Sequence, residues 1–412
     1  MSTMNDRADE ANAATRFEYV PSVIRTKRGS VDLLDEELAA QDCDSALVVC
    51  GETVGATPAV IEPVREGLGE RLAGVFAETT PAKRLSTAFE AAEVFDAADA
   101  DAIVGLGGGS SLDTAKVASA LAAANRSRDD VGDEFAERGI VTVPDGDLPP
   151  VVAVPTTLAG ADLSQLAGIT ATPESGLVDD PVGGGVGDPK LMPAAVMYDP
   201  DLFETTPYGV LAGSAMNGFD KGIETLYSRN ASPVTDATAA RGLSLLRSNL
   251  PTLGEDEGYE NAMDRVVEGT LLVQYGISRP GGTTLSLIHA FGHGLTAHSD
   301  VQQGRAHAVV APHALRYLFD EVDGRRALLA EAFDVLTEGR SGAEIADGVV
   351  DAVAEVRDAL DLPSRLRSVD DIDREDLPAI AETTADDGLL ANAPKGLDPT
   401  RDELEAVLDA AW

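Results

Sequence analysis

The first half of the chain alternates short apolar runs with longer segments whose apolar residues recur at helical spacing. Continuous apolar runs bounded by glycine or proline are typical of strands buried on both faces, and they predict strands over residues 46–50, 75–76, 102–106, 151–155 and 195–198. Between them, helical periodicity predicts helices over residues 58–73, 83–98 and 113–124. Strands that alternate with helices predict an α/β fold with a parallel, Rossmann-like sheet covered on both faces.

Strand patterns fade in the second half of the chain. From Pro207 onward long helical patterns dominate, so we expect an all-helical second domain. We place the boundary where the last strand ends, which gives an N-terminal α/β domain over residues 1–198 and a C-terminal helical domain over residues 199–412. Residues 1–15 are polar and are predicted to be disordered.

Two stretches of the first domain show neither the apolar runs of a buried strand nor the apolar spacing of a helix. Residues 125–149 are polar and acidic with Gly and Pro, and we expect a surface excursion there. Residues 183–187, Gly-Gly-Gly-Val-Gly, are expected to form a flexible turn. No predicted strand leads into them, so they are not interpreted as a phosphate-binding loop.

The charge balance narrows the range of partners. The 412 residues include 71 acidic and 31 basic side chains, a net charge of −40, and the acids are spread over both halves. Such a surface repels nucleic acid and anionic membranes, so neither is an expected partner. Only six residues are lysine, and an acidic, lysine-poor chain rich in Ala and Val resembles the cytoplasmic proteins of extreme halophiles, in which concentrated salt screens self-repulsion. The alternative is an ordinary acidic protein.

Cysteine content and hydropathy favour the cytoplasm. Two cysteines, Cys43 and Cys50, provide neither a disulfide framework nor a thiolate metal cluster. The N-terminal residues lack the apolar segment of a signal peptide, and no run of about 18 apolar residues predicts a transmembrane helix. We therefore expect a cytoplasmic protein.

A glycine-rich stretch lies where a predicted strand meets a predicted helix. Gly107, Gly108 and Gly109 are followed by Ser110 and Ser111. Glycine lets the backbone approach an anion closely, and the free N–H groups of a helix N-terminus point at it. The two serine hydroxyls add further donors. The arrangement is typical of a phosphate-binding loop.

This loop is part of a longer motif. It continues as Ser-Leu-Asp-Thr-Ala-Lys over residues 111–116, and Pro-Thr-Thr-Leu-Ala-Gly follows over residues 155–160. Together they resemble the iron-containing alcohol dehydrogenase superfamily, whose members carry a GGGSxxDxAK loop and a PTTxxxG segment, and the resemblance runs from about Gly29 to Trp412. It implies that the glycine loop holds the pyrophosphate of a nicotinamide dinucleotide and that the threonine pair contacts the nicotinamide half. The cofactor-binding residues are then expected to be Gly51, Gly107, Gly108, Gly109, Ser110, Ser111, Asp113, Thr156 and Thr157.

The choice between NAD and NADP stays open. NAD-preferring members of that family often carry an Asp at the end of the first strand, where its carboxylate holds the ribose 2′-OH. The matching position holds Gly51, followed by Glu52. Glu52 could still bind the ribose, but Gly51 would not repel a 2′-phosphate, so both cofactors remain candidates.

The same resemblance implies a divalent metal, held by an Asp and a His four residues apart on one helix and by two further His beyond it. The matching positions hold Asn217, Lys221, His289 and Gln303. A protonated Lys cannot bind a metal, and Asn and Gln are weak neutral ligands. We therefore expect a degenerate site without metal, unless Asp220 or His293 is recruited as a ligand.

Two histidines four residues apart, His289 and His293, are candidate catalytic groups on one helix face. In the family that the chain resembles, the residue matching His293 faces the nicotinamide and is a candidate proton relay. The alternative is a pair of core histidines. We also expect Lys221 to take over the electrostatic role of the metal, because a protonated amine can stabilise a developing alkoxide. Surface, packing or capping roles are expected for the other histidines, His298, His307 and His313.

The leading hypothesis is an NAD(P)-dependent alcohol dehydrogenase or carbonyl reductase, homodimeric like the family that it resembles, acting on a small carbonyl compound or its alcohol. Residues 215–217 and 304–315 are also similar to the maleylacetate reductase branch, which has lost the metal and reduces an unsaturated oxo-acid. A substrate carboxylate would then need a cation, with Lys190, Arg229 and Arg305 as candidates. A hypothesis from another functional class also stays open: a protein that has lost its metal ligands could bind the cofactor without catalysing a reaction.

Overall fold

A six-stranded parallel sheet forms the centre of the first half of the protein. The computed structural model describes residues 17–20, 22–254 and 259–412, and the disorder predicted for residues 1–15 lies outside them. The strands are β1 (Val23–Thr26), β2 (Ala46–Gly51), β3 (Leu72–Thr79), β4 (Ala102–Gly107), β5 (Val151–Pro155), β6 (Leu166–Ala171), β7 (Val182–Gly187) and β8 (Ala195–Tyr198). The sheet has the order β1-β8-β5-β4-β2-β3 with every pair parallel, and β6 and β7 form a separate antiparallel hairpin.

Helices follow most strands and make up the second half. They are α1 (Leu34–Ala40), α2 (Glu52–Ala56), α3 (Pro58–Leu68), α4 (Leu85–Ala97), α5 (Gly109–Ala123), α6 (Arg128–Arg138), α7 (Pro200–Glu204), α8 (Tyr208–Tyr227), α9 (Pro233–Asn249), α10 (Tyr259–Gln274), α11 (Leu287–Ala297), α12 (Gln303–Glu321), α13 (Arg326–Ala332), α14 (Gly342–Ala359), α15 (Leu377–Ala385) and α16 (Arg401–Ala411). Within the described ranges, none of them combines the length and the apolar character needed to cross a membrane.

Helices bury both faces of the sheet. Along β2 the side chains alternate between two cores: Leu47 and Val49 pack with α4 and α5, whereas Ala46, Val48 and Cys50 pack with α1 and α3. Successive strand side chains point to opposite faces, so a sheet covered on both sides needs apolar residues at every position. This is why the strands show as continuous apolar runs in the sequence.

α8 is the central helix of the second half. Every residue from Leu211 to Tyr227 is buried except Lys221, which is partly exposed. The helix contacts α9, α10, α11 and α12, and a helix buried nearly all round belongs in the middle of a helical core. Trp412, the chain's single tryptophan, packs against the same core just after α16.

The predicted fold class is confirmed, because a Rossmann-like parallel sheet precedes a helical remainder. One local prediction is incomplete and another is wrong. Residues 128–138, inside the expected surface excursion, form α6, which Ser127 caps by accepting the N–H of Asp130. Residues 183–187, expected to be a flexible turn, lie within β7. The apolar patterns also failed to predict β1 and β6.

The glycines of β7 have a packing reason. Gly139 ends α6 in the left-handed region, at φ 64°, and its carbonyl oxygen accepts the N–H of Gly185 at 3.0 Å. A Cβ on Gly184 would lie 1.9 Å from that carbonyl oxygen. β7 therefore has glycine because the end of α6 lies against it, and glycine in a strand often marks such a close approach of two backbones.

Candidate active site

The glycine loop lies at the carboxyl edge of the parallel sheet. β2 ends at Gly51, β4 ends at Gly107, and Thr156 follows β5, so the three positions share one edge. Thr156 N donates to the Gly107 carbonyl oxygen at 3.0 Å. From β2 the chain continues to β3 on one side, and from β4 it continues to β5 on the other. Open α/β sheets bind ligands in the crevice at such a reversal of strand order.

Residues 107–109 form a cradle that fits a phosphate group. Gly107 has φ 130°, Gly108 precedes α5, and α5 begins at Gly109. A Cβ on Gly108 would lie 3.2 Å from Thr157 Cγ2, and one on Gly107 would lie 3.2 Å from Ser111 Oγ. The start of α5 adds free N–H groups and the positive end of the helix dipole. The absence of side chains and the helix start together suit the pyrophosphate of a dinucleotide.

Two predicted cofactor residues have partners within the protein. Ser111 is buried, and its Oγ shares a hydrogen bond of 2.6 Å with Thr79 Oγ1. Asp113 is also buried, and its Oδ2 accepts hydrogen bonds from Lys83 Nζ at 2.6 Å and Gly168 N at 3.2 Å. These contacts tie α5 to β3 and β6, so they hold the loop in place.

Lys221 lies beside the segment that follows β5. Its Nζ donates to the Gly160 carbonyl oxygen at 3.1 Å, and Thr157 in the same segment faces Gly108. Burial lowers the pKa of the Lys221 amine to about 8, and the nearby carboxylate of Asp162 only partly offsets this. A titratable cation is thus held close to the cradle.

The four positions at which the family metal is expected do not suit a divalent ion. Asn217 Nδ2 donates to Gln303 Oε1 at 3.4 Å, which joins α8 to α12. Lys221 is a cation, and of the four only His289 offers an imidazole nitrogen, a buried Nε2 without a hydrogen-bond partner. Across the described parts of the chain, no three His, Cys, Asp or Glu side chains are grouped so as to hold a metal. One imidazole and two amides beside an ammonium are a poor donor set.

Glu224 sets the orientation of His289. Glu224 Oε2 lies 2.5 Å from His289 Nδ1, and Oε1 accepts the backbone N–H groups of Ile288 at 2.7 Å and His289 at 3.0 Å. The carboxylate therefore caps the first turn of α11 and accepts a hydrogen bond from His289 Nδ1–H, which leaves the ring's lone pair on Nε2. Burial lowers the pKa of His289 well below its usual range, and Lys221 lowers it further, so the ring is neutral.

Neither alternative ligand joins this group. Asp220 is fully buried and turns to His307, with Oδ2 3.5 Å from Nδ1, and burial raises the pKa of its carboxyl well above the usual range. His293 is about half exposed, and its Nδ1 lies 2.6 Å from Asp387 Oδ2. His307 packs edge-on against His289 with ring centroids 4.5 Å apart.

The candidate residues thus form two adjoining clusters. The cofactor cluster contains the glycine loop with the partly exposed Ser110, the threonine pair and Gly51. The second cluster contains Asn217, Lys221, His289 and Gln303 on α8, α11 and α12, while His293 lies apart with Asp387. Sequence reasoning missed Thr79, Glu224 and Asp387, which lie far along the chain from the residues they hold. The one available signal was the spacing of Glu224, three residues after Lys221 on a predicted helix.

Comparison with known proteins gives matches over nearly the whole chain. The model described as "Iron-containing alcohol dehydrogenase" matches residues 21–200, and "Fe-containing alcohol dehydrogenase family, C-terminal" matches residues 211–412. Lactaldehyde reductase of Escherichia coli K12 is 25% identical over 389 residues, 93% of this chain and 96% of that protein. NAD-dependent methanol dehydrogenase of Bacillus methanolicus is 28% identical over 389 residues, 92% of this chain and 95% of that protein. Maleylacetate reductase of Rhizobium sp. strain MTP-10005 is 28% identical over 321 residues, 78% of each.

Solved structures agree with the fold. The crystal structure of a 1,3-propanediol oxidoreductase superposes with a TM-score of 0.87 at 23% identity, over 97% of this chain and 100% of the other. At that identity the similarity concerns the arrangement of helices and strands, not the reaction.

Proposed function

Because the chain belongs to the iron-containing alcohol dehydrogenase family, we propose that it is an NAD(P)-dependent oxidoreductase that works without the family metal. Its substrate is a small carbonyl compound, or the corresponding alcohol in the reverse direction. The observation that carries the proposal is the place of Lys221, a cation at a metal-ligand position whose Nζ donates to the segment facing the glycine loop.

The cofactor is held by the cradle at residues 107–109, by Ser110 and by the segment that begins at Thr156. When bound there, nicotinamide supplies or accepts the hydride. The related methanol dehydrogenase of Bacillus methanolicus is NAD-dependent. In this chain β2 ends at Gly51 and the exposed Glu52 follows, so the ribose end has no inward carboxylate that would exclude NADP. We therefore propose that the site accepts either NAD or NADP.

Lys221 polarises the substrate carbonyl. A protonated amine donates a hydrogen bond to the carbonyl oxygen and stabilises the negative charge that develops there as hydride arrives. Its lowered pKa also lets it deliver the proton that completes the alcohol. In the reverse direction His289 stays neutral and orients the alcohol, because its Nε2 lone pair can accept a hydrogen bond from the substrate hydroxyl. Asn217 and Gln303 are neutral, so they leave the charge at the site to Lys221.

The first test is activity together with metal content. Purified protein should oxidise NAD(P)H with at least one member of a panel of aldehydes, ketones and oxo-acids in concentrated salt. Metal analysis should find neither iron nor zinc in stoichiometric amount, and chelators should leave the rate unchanged. Bound metal at one ion per chain, or inhibition reversed by adding the ion back, would contradict the metal-free proposal.

His293 should matter more than its neighbour His298. His293 lies one helical turn after His289, its Nδ1 pairs with Asp387 and its ring is about half exposed, so we propose that it relays protons between the site and solvent. We expect His293→Ala to lower turnover about 100-fold, the size typical of a lost proton-transfer group. His298, bonded to Thr383 Oγ1, is the matched control, and His298→Ala should be nearly silent. Equal effects of the two variants on the steady-state rate would remove His293 from the proton path.

Two further proposals concern the protein as a whole. We propose that it is adapted to concentrated salt, in which its net charge of −40 is screened, and that it functions as a homodimer. Light scattering in molar salt tests the oligomeric state, and thermal unfolding over a range of salt concentrations tests the adaptation to salt. A monomer in molar salt would contradict the second proposal, and a protein equally stable without salt would contradict the first.

A further inference from the structure

A cavity of about 330 Å³ lies beside the loop that joins α10 to α11. That loop forms one wall with Ser278, Arg279 and Thr283. The start of β6 and the end of β7 form the other wall, with Gln165 just before β6 and Asp188 just after β7. Sites for small ligands begin at about 300 Å³. A second cavity of about 270 Å³ adjoins the first and shares Arg279 with it. The Arg279 side chain is thus placed where a ligand could reach it.

Arg279 has no carboxylate partner among the described residues. Its Nη2 donates to the Asn230 carbonyl oxygen at 2.7 Å, and its guanidinium lies over the Phe17 ring, 5.2 Å from the centroid. In this acidic chain other partly buried arginines, such as Arg28 and Arg71, pair with acids. Burial lowers the pKa of Arg279, but a guanidinium keeps its charge in a protein. The wall therefore carries a guanidinium that no described carboxylate contacts, although Asp188 lines the first cavity and Glu18 lines the second.

Gln165 lines the same cavity and has a side-chain donor that is unpaired among the described residues. It is 4% exposed, and its Nε2 has no hydrogen-bond partner within the described parts of the chain. Its backbone N donates to Ser278 Oγ at 2.9 Å, which joins the two walls of the cavity. Asp188 is the carboxylate on the same wall, and its Oδ1 accepts the backbone N–H of Lys190 at 2.8 Å. A guanidinium and an amide N–H are donors that suit a carboxylate.

Two short paths connect the cavity with Lys221. Thr283 on the cavity wall precedes Thr284, whose Oγ1 lies 2.8 Å from Thr225 Oγ1, one turn after Lys221 on α8. On the other side, the segment between β5 and β6 carries both Gln165 and Gly160, and the Gly160 carbonyl oxygen accepts from Lys221 Nζ. The same two pieces of chain therefore border both the cavity and the amine.

We propose that the substrate is an oxo-acid or aldehyde-acid, with its carboxylate in this cavity on Arg279 and Gln165 and its carbonyl at Lys221. The inference rests on the proposed function. Bound NAD(P)H would supply the hydride for the new C–H bond and be oxidised to NAD(P)+. The π electrons of the carbonyl would move to oxygen, and that oxygen would take up the proton that the Lys221 ammonium donates. The product is a hydroxy acid, and the carboxylate is unchanged.

Two of the cations suggested by the sequence have other partners. Lys190 Nζ donates to the carbonyl oxygens of Pro144 and Gly146 at the surface. Arg229 Nε donates to the Ala393 carbonyl oxygen at 2.6 Å. For Arg305 no side-chain contact with an acid occurs among the described residues, and it does not line either cavity. The lining of the cavity thus favours Arg279 over Lys190, Arg229 and Arg305 as the cation for a substrate carboxylate.

The test compares two aldehydes of equal length, succinic semialdehyde with a carboxylate and butanal without one, at constant ionic strength. Wild type should prefer succinic semialdehyde. Arg279→Gln should lower kcat/KM for succinic semialdehyde about 10- to 100-fold, the size of a lost charge-assisted hydrogen bond, mainly through KM. The rate with butanal should stay within about twofold. Arg279→Lys should recover part of the preference, and Lys190→Gln, the matched surface control, should keep all of it.

A preference that survives in Arg279→Gln overturns the inference, and so does an equal loss with both aldehydes, which would assign Arg279 a structural role. Titration calorimetry with succinate, which cannot be reduced at a carbonyl, keeps the inference separate from the proposed function. Succinate binding by wild type and not by Arg279→Gln supports the cavity even in a protein that reduces neither aldehyde. Equal binding by both, or binding by neither, overturns the inference while leaving hydride transfer to other substrates intact.

Discussion

Lys221→Met should lower kcat for carbonyl reduction about 100- to 1000-fold, the loss typical of removing a donor that stabilises a developing oxyanion. Methionine keeps the length and apolar stem of lysine but cannot donate a hydrogen bond or carry a charge. The Gly160 carbonyl oxygen would lose only this one partner, so the fold should persist. NAD(P)H affinity should change by about twofold at most, because the lost interaction forms chiefly in the transition state. Steady-state kinetics and fluorescence titration of NAD(P)H measure the two quantities.

The pH dependence of the wild type provides a second measure of the same group. Lys221 has a pKa of about 8, below its usual value, so its protonated fraction falls as the pH rises through about 8. Carbonyl reduction needs the protonated form and should decline over that range, and Lys221→Met should lack this decline. Lys190→Met, a change at a surface lysine, should behave as wild type. A fully active Lys221→Met enzyme would refute the proposed role.

Gly108→Asp should abolish binding of the dinucleotide without unfolding the protein. The new Cβ would lie 3.2 Å from Thr157 Cγ2, and its carboxylate would meet the pyrophosphate that the cradle is proposed to hold. Two unit charges about 4 Å apart near a protein surface repel by about 4 kcal/mol, or about 1000-fold in Kd. NAD(P)H fluorescence titration should therefore show no saturation in the range that saturates wild type.

Gly146→Asp is the matched control for this change. A Cβ on Gly146 meets nothing within 4 Å, so the same substitution adds the same charge in open space. It should bind NAD(P)H as wild type does, and circular dichroism should give similar melting temperatures for the two variants. Unchanged affinity in Gly108→Asp would remove the loop from the cofactor site.

The sheet and the helical second half were predictable because burial on both faces imposes a simple pattern. β2 and β5 are apolar at nearly every position, and helical spacing fills the chain between the strands. β7 was not predictable, because its glycines are required by close packing against the end of α6. That contact joins residues more than 40 positions apart in the sequence. α6 escaped prediction because few of its residues are apolar and its start depends on one capping serine. The pattern of apolar residues therefore predicts which segments are buried, but it does not predict where two backbones pack closely.

The candidate site divides in the same way. Gly107 to Ser111 could be recognised because the loop is contiguous and its chemistry is local. The partner of His289 could not, since Glu224 lies 65 residues earlier and its contact depends on how α8 packs against α11. Arg279 was overlooked because nothing in its neighbourhood, Ser-Arg-Pro-Gly-Gly, distinguishes it from a surface turn. Arg279 becomes a candidate only in the folded structure, where it lines a cavity and contacts no described carboxylate.

The place of Trp412 makes the two halves of the protein separately observable by optical spectroscopy. The one indole of the chain, at the last residue, packs on the core that the C-terminal helices dominate, while the glycine loop lies in the other half. Intrinsic emission excited at the red edge of the absorption band follows the helical core alone, without interference from tyrosine. Emission from NAD(P)H at the proposed site would report on the glycine loop and the residues around it. A single denaturation series recorded on both chromophores would show whether the halves lose structure together or in sequence, with no label attached.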